Sequence, residues 1–237
     1  MKLYLFKLGL VHPFGVPVPG YLIQTDNGKH ILVDTGFPYS FIEHPKNRHG
    51  VHFEMKEEDY IVNRLYSIGI LPDDIDFLIS THFDTDHAGN NEVFKNAQLI
   101  VQRSHYEVAK AGHPRFEDIK THWDAPELNY RMVDGDTTLW EGVELVETSG
   151  PVPGHQSVIV DLKDSGKVLL AIDAIPAPYL TDPDTRLIMP TDMDEAGVRL
   201  STKKLMDIVK SQNIKLLIHG HDMDQWRTLK HAPLYYY

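Results

Sequence analysis

The stretch DFLISTHFDTDHAGN, residues 76–90, joins a short apolar run to a dense cluster of metal-binding residue types. DFLIS is typical of a buried β-strand. The following segment carries His82, Asp84, Asp86 and His87 within six positions. Imidazole nitrogens and carboxylate oxygens are ligands for hard-to-borderline divalent cations. The stretch therefore predicts a strand that delivers a metal-binding loop at its C-terminal end.

Three other apolar runs end on polar residues in the same way. Asp34 follows HILV, Asp173 follows VLLAI, and His221 follows LLIHG. Sites in open α/β sheets form at the rim where strands end, because strands fix the backbone and loops deliver side chains. Together with His155, which follows Gly154, these pieces approach the roughly six to eight protein contacts that two metal ions need.

The rest of the chain alternates short apolar runs with amphipathic segments, which predicts one α/β domain over residues 1–237. GYLIQTDNGKHILVDTG (20–36) predicts a β-hairpin around the turn signal Asp26-Asn27-Gly28. Helices are predicted at 56–68 and 198–212, and further strands at 97–102, 144–148, 157–162, 167–174 and 215–222. The Pro- and Gly-rich segments 9–20 and 36–54 are expected to be long loops that cover a site.

Composition narrows the class of partner. The chain has 23 basic and 34 acidic residues, a net charge of −11, and no basic run, which argues against nucleic acid or an anionic membrane surface. There is no apolar window long enough to span a membrane and no signal-peptide pattern, so a cytoplasmic protein is expected. Its partner is expected to be a small-molecule substrate, and the enzyme is expected to be a monomer or a homodimer. Without cysteine, metal ligands must be His, Asp or Glu.

Taken in order, the polar pieces resemble the metallo-β-lactamase superfamily, whose signature H-x-H-x-D-H is followed by a distant His, an Asp and a final His. VDTG (33–36), PGHQS (153–157), LLAIDA (169–174) and HGHD (219–222) match in that order. The N-acyl-homoserine lactonases are the most similar branch, through KEEDYIVNRL (56–65), LPDDIDFLISTHFDTDHAGNNEVF (71–94) and LIVQRSHYEVA (99–109). The resemblance implies an α/β fold, the four-layer αββα sandwich.

The resemblance also implies two divalent metal ions held in two subsites. Their ligands would be His82, Asp84 and His155 for one ion, and Asp86, His87 and His221 for the other, with Asp173 shared. Asp34 matches a position that orients a ligand histidine. Asp86 would also help to move a proton during the reaction.

Further residues are assigned around this centre. His219 and His221 point to the same face of a strand; the Gly-His-Asp match favours His221 as the ligand and leaves His219 as a buried, hydrogen-bonded neighbour. The lactonases carry a substrate-contacting tyrosine shortly after the bridging aspartate, where this chain has Pro176, and Tyr179 is the candidate substitute. An apolar substrate pocket is expected from Phe14, Val16, Phe37, Tyr39 and Phe41.

Asp84 departs from the signature, which has histidine at this position. A carboxylate in place of a neutral imidazole lowers the net charge by about one unit and should weaken the metals as Lewis acids. Zinc is the first expectation for the two ions. Oxygen ligands favour harder metals, so Asp84 makes iron or manganese the alternatives. On this charge argument, Asp84→His should raise zinc preference and hydrolysis.

The resemblance implies a dinuclear metal-dependent hydrolase that opens a lactone ring, that of an N-acyl-homoserine lactone or a similar compound, by attack of a metal-bound hydroxide. Another ester or thioester hydrolase of the same fold is an alternative. An iron-binding oxidoreductase is another, since the flavodiiron proteins carry Glu at the position of Asp84, although 237 residues leave no room for their flavodoxin-like domain. A metal-bound structural or sensor module would bind metal without turnover.

Overall fold

The computed structural model describes residues 1–48 and 50–237. Its strands are β1 (Lys2–His12), β2 (Val16–Gln24), β3 (His30–Val33), β4 (Asn47–Arg48), β5 (Val51–Glu54), β6 (Phe77–Ile79), β7 (Gln98–Gln102), β8 (Asn129–Val133), β9 (Thr137–Trp140), β10 (Val143–Glu147), β11 (Gln156–Leu162), β12 (Gly166–Leu170) and β13 (Leu216–Ile218). Its α-helices are α1 (Ile61–Tyr66), α2 (Arg103–Lys110), α3 (Pro114–Glu117), α4 (Lys120–Trp123), α5 (Glu195–Ser211) and α6 (Met223–Trp226).

Within the described residues the strands form two sheets. The first has eight strands in the order β4-β5-β1-β2-β3-β6-β7-β8, and the second has five in the order β13-β12-β11-β10-β9. β3, β6, β7 and β8 are parallel neighbours, as are β12 and β13. Parallel strands need cover on both faces, and both sheets have it.

Three apolar clusters separate four layers. Along β3, Ile31 and Val33 join the cluster between the two sheets, whereas Leu32 joins the cluster on the outer face. This alternation follows from the two-residue period of a strand. The outer cluster of the first sheet packs against α1 through Leu65, and that of the second sheet packs against α5 through Leu205. The αββα sandwich expected from the sequence is confirmed.

The hairpin around Asp26-Asn27-Gly28 is also confirmed, because β2 and β3 pair antiparallel on either side of it. Some element boundaries differ. The predicted helix 56–68 is a 3₁₀ turn at Glu57–Asp59 followed by the short helix α1, and the predicted helix 198–212 begins earlier, at Glu195. No helix among the described residues is long and apolar enough to cross a membrane.

The loop assignment of segment 9–20 is wrong, because most of this segment lies in the two strands of the β1–β2 hairpin. Its prolines suggested a loop, yet Pro17 and Pro19 lie where β2 has only β1 as a neighbour; pairing with β3 begins at Tyr21. Proline is tolerated on such an open edge because its missing N–H is not needed there. Segment 36–54 is partly a loop but ends in the β4–β5 hairpin, and position 49 lies outside the described residues.

Candidate metal centre

The sheet topology brings the predicted polar residues to one rim of each sheet. Asp34 and His82 follow the parallel strands β3 and β6, and Asp173 and His221 follow the parallel strands β12 and β13. His155 comes just before β11, which runs antiparallel to β12, so its start lies beside the end of β12. The two rims face each other across the inter-sheet cluster.

Asp173 lies between two groups of side chains and turns one oxygen toward each. Its Oδ2 is 3.5 Å from His82 Nε2, and its Oδ1 is 3.3 Å from His87 Nε2 and 2.9 Å from His221 Nε2. One carboxylate thus faces both sets of donors that the sequence assigned to separate subsites. This is the arrangement that a bridging ligand requires.

Two further aspartates flank these groups. Asp84 Oδ2 is 3.2 Å from His82 Nε2, on the side of Asp173 Oδ2. Asp86 Oδ2 is 3.6 Å from His87 Nε2 and 3.9 Å from His221 Nε2. Among the described residues, two groups of three have their ligand atoms within 4.8 Å of one another: His82, His87 and Asp173 form one group, and Asp86, His87 and His221 form the other.

Outer hydrogen bonds orient His87 and His221 in the same tautomer. Asp34 Oδ2 lies 2.8 Å from His87 Nδ1, and the Pro17 carbonyl lies 2.9 Å from His221 Nδ1. A carboxylate and a carbonyl only accept hydrogen bonds, so each Nδ1 carries the proton. In the neutral imidazole the lone pair is then on Nε2, the atom that faces the centre.

A longer relay orients His82. The Thr81 hydroxyl donates to Asp34 Oδ2 at 2.8 Å, so its oxygen is left to accept from His82 Nδ1 at 3.0 Å. Asp34 therefore orients His82 through Thr81 and His87 directly. Asp34 thus contacts the ring of His87, one of the candidate ligands, and its role in orienting a metal ligand stays a prediction.

His155 is oriented by a chain of hydroxyls. Ser157 donates to the Ala171 carbonyl at 3.0 Å, which leaves its oxygen to accept from Thr148; Thr148 in turn accepts from His155 Nδ1 at 2.8 Å. His155 Nε2 accepts the backbone N–H of Asp173 at 3.2 Å. His155 is therefore buried against the centre but stands outside the two sets of ligand atoms within 4.8 Å, so its role as a ligand stays a prediction.

The donor set fits divalent metal ions. Among the described residues, Nε2 of His82 and Nε2 of His87 are buried atoms without a hydrogen-bond partner. Buried polar atoms are ordinarily satisfied, and an orphaned lone pair implies a partner such as an ion. Nitrogen and carboxylate donors suit zinc, iron and manganese.

The charges at the centre also favour cations. Burial lowers the pKa of His87, but Asp86, Asp173 and Asp34 outweigh it and raise the pKa well above its ordinary value. Burial raises the pKa of Asp173, yet the neighbouring histidines, His87 first, hold it well below the usual range. Burial lowers the pKa of His221, but the neighbouring carboxylates of Asp173 and Asp86 outweigh it and raise the pKa above its ordinary value. Asp173 therefore stays ionised and draws positive charge into the site.

Asp84 has a partner that the sequence did not reveal. Arg115, from α3, donates hydrogen bonds to both oxygens of the Asp84 carboxylate: Nε donates to Oδ1 at 2.7 Å, and Nη2 donates to Oδ2. Burial opposes ionisation of Asp84, but these hydrogen bonds and the charge of His82 hold its pKa well below its usual range. Arg115 is 31 residues away in sequence and carries no motif, so only the fold could identify it. The net-charge argument made from Asp84 alone is incomplete, because Arg115 offsets that charge.

His105 is a second residue that the sequence left unassigned, among surface or pocket histidines. It is fully buried, accepts the Phe83 N–H through Nε2 at 2.8 Å, and donates to the Pro153 carbonyl through Nδ1 at 2.8 Å. Phe83 and Pro153 stand in the segments that carry His82 and His155. His105 thus joins two segments of the centre without facing it.

His219 lies beside the centre but outside both ligand sets. It is 7% exposed, and its Nδ1 donates to the Ile175 carbonyl at 3.2 Å. The Gln225 side chain accepts its backbone N–H. These contacts hold His219 next to the Gly220 turn that carries His221, and its role as a neighbour of the ligand stays a prediction.

A cleft of about 340 Å³ opens next to His221. It is lined by Phe14 and Val16 from the β1–β2 hairpin and by Tyr179, together with Met223 and Ala177. Phe14 is 78% exposed and Tyr179 is 69% exposed, so both present free surface there. Polar groups enter at one side through Asp222, Asp224 and Arg227.

The other residues assigned to the pocket lie elsewhere. Phe37 and Phe41 are buried and stack on each other in the outer cluster of the first sheet, so they do not line an open pocket. Tyr39 is exposed but packs on Tyr60, and its hydroxyl faces Glu57. The assignment failed because apolar residues in a predicted loop can be either pocket or core, and periodicity cannot separate the two there.

Comparisons with known proteins agree with this geometry. The sequence model of the Metallo-beta-lactamase superfamily matches residues 14–221. The N-acyl homoserine lactonase AiiA of Bacillus thuringiensis subsp. kurstaki is 37% identical over 226 residues, which cover 93% of this chain and 87% of that protein. The N-acyl homoserine lactonase AttM of Azorhizobium caulinodans is 29% identical over 242 residues, covering 94% of this chain and 88% of that one.

A solved structure gives the same result. It is that of an N-acyl homoserine lactone hydrolase with the product N-hexanoyl-L-homoserine bound at the catalytic metal center. It superposes with a TM-score of 0.88 at 34% identity, covering 99% of this chain and 98% of that chain. By its fold, its ordered ligand pieces and these matches, the chain belongs to the metallo-β-lactamase superfamily and resembles the N-acyl homoserine lactonases along almost its whole length.

Proposed function

We propose that this chain is a dinuclear metal-dependent hydrolase that opens the lactone ring of N-acyl homoserine lactones. The observation that carries the proposal is the position of Asp173, whose two oxygens face two separate groups of donors. Relatives that bear the name N-acyl homoserine lactonase match over 93% of the chain, and a related structure holds the ring-opened product at its metal center. Both lines of support point to the same bond, the cyclic ester.

The residues proposed to hold the ions are those that the family resemblance implies. They are His82, Asp84 and His155 for one ion, and Asp86, His87 and His221 for the other, with Asp173 shared. When bound there, two divalent ions supply an ionised water and a Lewis acid for the ester carbonyl. Zinc is the proposed metal, with iron or manganese as the alternatives that Asp84 allows.

The chain's own side chains have separate tasks. Asp86 is one-quarter exposed, and its Oδ2 can take up the proton released in hydrolysis and return it to the ring oxygen, which leaves as an alcohol. Phe14, Val16 and Met223 offer apolar surface in the cleft beside His221 for the acyl chain. Tyr179 lies on the same cleft, and its free hydroxyl can donate a hydrogen bond to the substrate.

The proposal is tested with protein purified without added metal. We expect about two metal ions per chain by mass spectrometry, and faster opening of N-acyl homoserine lactones than of linear esters or glutathione thioesters. Less than about one ion per chain together with no ester or lactone turnover would refute the proposal. A preference for thioesters would instead support a thioester hydrolase of the same fold.

The role of Tyr179 is tested with Tyr179→Phe. Loss of one neutral hydrogen bond of about 0.5–1.5 kcal/mol should lower kcat/KM for the lactone about two- to tenfold. Tyr39→Phe is the matched control, because the Tyr39 hydroxyl faces Glu57 and the residue does not line the cleft. Equal kinetics for Tyr179→Phe and the wild type would remove Tyr179 from the reaction.

A further inference from the structure

Arg115 lies beside the centre, and neither the sequence motifs nor the proposed function explains its role. Its guanidinium binds both oxygens of Asp84, and its Nη1 donates to the carbonyls of Pro151 and Thr191. The side chains of Arg115 and Asp84 are only 20% and 14% exposed. The pair is therefore largely shielded from water and, unlike an exposed ion pair, is only weakly screened by salt.

These contacts join three segments around one subsite. Asp84 is on the loop that carries His82, Pro151 is four residues before His155, and Thr191 is in the segment that leads into α5. A planar guanidinium holds its partners in a fixed fork, which a lysine cannot do. Arg115 therefore fixes where the Asp84 carboxylate stands relative to His82, 3.2 Å away.

The charge of Arg115 matters as much as its geometry. Arginine is always protonated in proteins, so the carboxylate of Asp84 and the guanidinium of Arg115 together carry no net charge. The superfamily signature has a neutral histidine where this chain has Asp84. The pair thus supplies an oxygen donor beside His82 while keeping the local net charge that an imidazole would give.

We propose that Arg115 is a positioning residue for the metal subsite at His82, and that Asp84 and Arg115 work only as a unit. The proposal rests on the proposed function, because it assumes that the centre holds metal. It reverses the expectation from charge alone. Asp84→His by itself leaves the guanidinium unpaired beside the site, so it should weaken the metal subsite rather than strengthen it.

The test is a double-mutant cycle read out as zinc affinity. Wild type, Asp84→His, Arg115→Gln and the double variant are titrated with zinc alone against a chromophoric chelator, after thermal melting confirms folding. Each single variant should bind the weaker zinc ion about 10- to 100-fold less tightly. The double variant, a neutral imidazole without the charged partner, should recover at least about tenfold over the product of the two single effects.

Several outcomes would overturn the proposal. Additive effects in the cycle, or Arg115→Gln with wild-type zinc affinity, would show that the two residues do not act as a unit. If Asp84→His does not fold, Arg115→Lys against Arg115→Gln decides: lysine keeps the charge and should restore part of the affinity, and no difference between the two contradicts the proposal. Arg103→Gln is the control, because Arg103 pairs with Asp134 at the surface, away from the centre.

Lactone turnover is measured on the same samples, which separates the two hypotheses. Wild-type protein that binds zinc with the predicted coupling but opens no lactone would refute the proposed function and leave the role of Arg115 standing. Lactonase activity with an additive cycle would leave the function standing and remove the role of Arg115.

Discussion

Asp34 offers the sharpest test of how the centre is oriented. Its carboxylate accepts three hydrogen bonds of 2.8 Å each, from the Thr81 N–H, the Thr81 hydroxyl and His87 Nδ1. Asp34→Asn keeps the size of the side chain but replaces one acceptor oxygen with a donor. Asp34 also has a left-handed backbone, with φ of 59°, which asparagine tolerates. The substitution therefore changes hydrogen bonding with little added backbone strain.

The magnitude follows from the number of bonds lost. Either orientation of the amide places an N–H against at least one N–H or O–H donor, and each lost bond to a charged group costs about 1.5–3 kcal/mol of stability. If His87 moves its proton to Nε2 to restore the bond, it loses the lone pair that faces the centre. We expect zinc affinity to fall about 10- to 100-fold, as for other changes in residues that orient a ligand.

The assay compares zinc affinity and unfolding free energy in Asp34→Asn and Asp59→Asn. Asp59 is also 1% exposed and is held by Arg64 at 2.7 Å and Lys7 at 3.2 Å, but it lies on the outer side of the first sheet. Asp59→Asn should lose stability and keep its zinc affinity. If Asp34→Asn binds zinc within about twofold of the wild type, the reasoning about the His87 tautomer is wrong.

Two more predictions concern the supports of the centre. Burial, with a smaller effect from His82, lowers the pKa of His105 to about 3. As the pH falls, the unfolded chain therefore takes up a proton at this residue before the folded chain does. The free energy of unfolding should fall as the pH drops from about 6.5 toward 3, by up to about 4 kcal/mol. His105→Gln should flatten this pH dependence in denaturant titrations, and an unchanged slope would contradict it. A Cβ on Gly220 would stand 2.3 Å from the Ile172 carbonyl, so Gly220→Ala should cost about 1–3 kcal/mol and weaken zinc binding by displacing His221 from Asp173. Wild-type melting temperature and zinc affinity in this variant would contradict the close approach.

The sequence showed the order of the polar residues along the chain because most ligand pieces follow an apolar strand; His155, just before β11, is the exception. DFLIS before His82 and VLLAI before Asp173 carry both signals together, and parallel pairing then brings such ends to one rim. These pieces carry the resemblance to the superfamily, and both the superfamily and the αββα sandwich that the resemblance implies are confirmed. The assignment of individual ligands stays a prediction that metal analysis must test.

Long-range side-chain contacts were beyond the sequence. Arg115 reaches Asp84 across 31 residues, and His105 reaches Phe83 and Pro153 across 22 and 48 residues. Neither residue has a periodicity or spacing that marks it, because its role depends on where α2 and α3 dock against the sheet. The β1–β2 hairpin was missed for a related reason. Proline is unfavourable in a strand that has neighbours on both sides, and only the fold shows that β3 does not extend beside Pro17 and Pro19.

The sequence by itself determined which atoms are available at this centre: imidazoles and carboxylates, and no thiols. The tertiary structure alone decided their charge and orientation. Asp34 and Pro17 set the histidine tautomers, and Arg115 neutralises Asp84, through contacts between residues distant in sequence. Donor type is a property of one residue, whereas the proton on a ring nitrogen and the net charge of a site are properties of its neighbours.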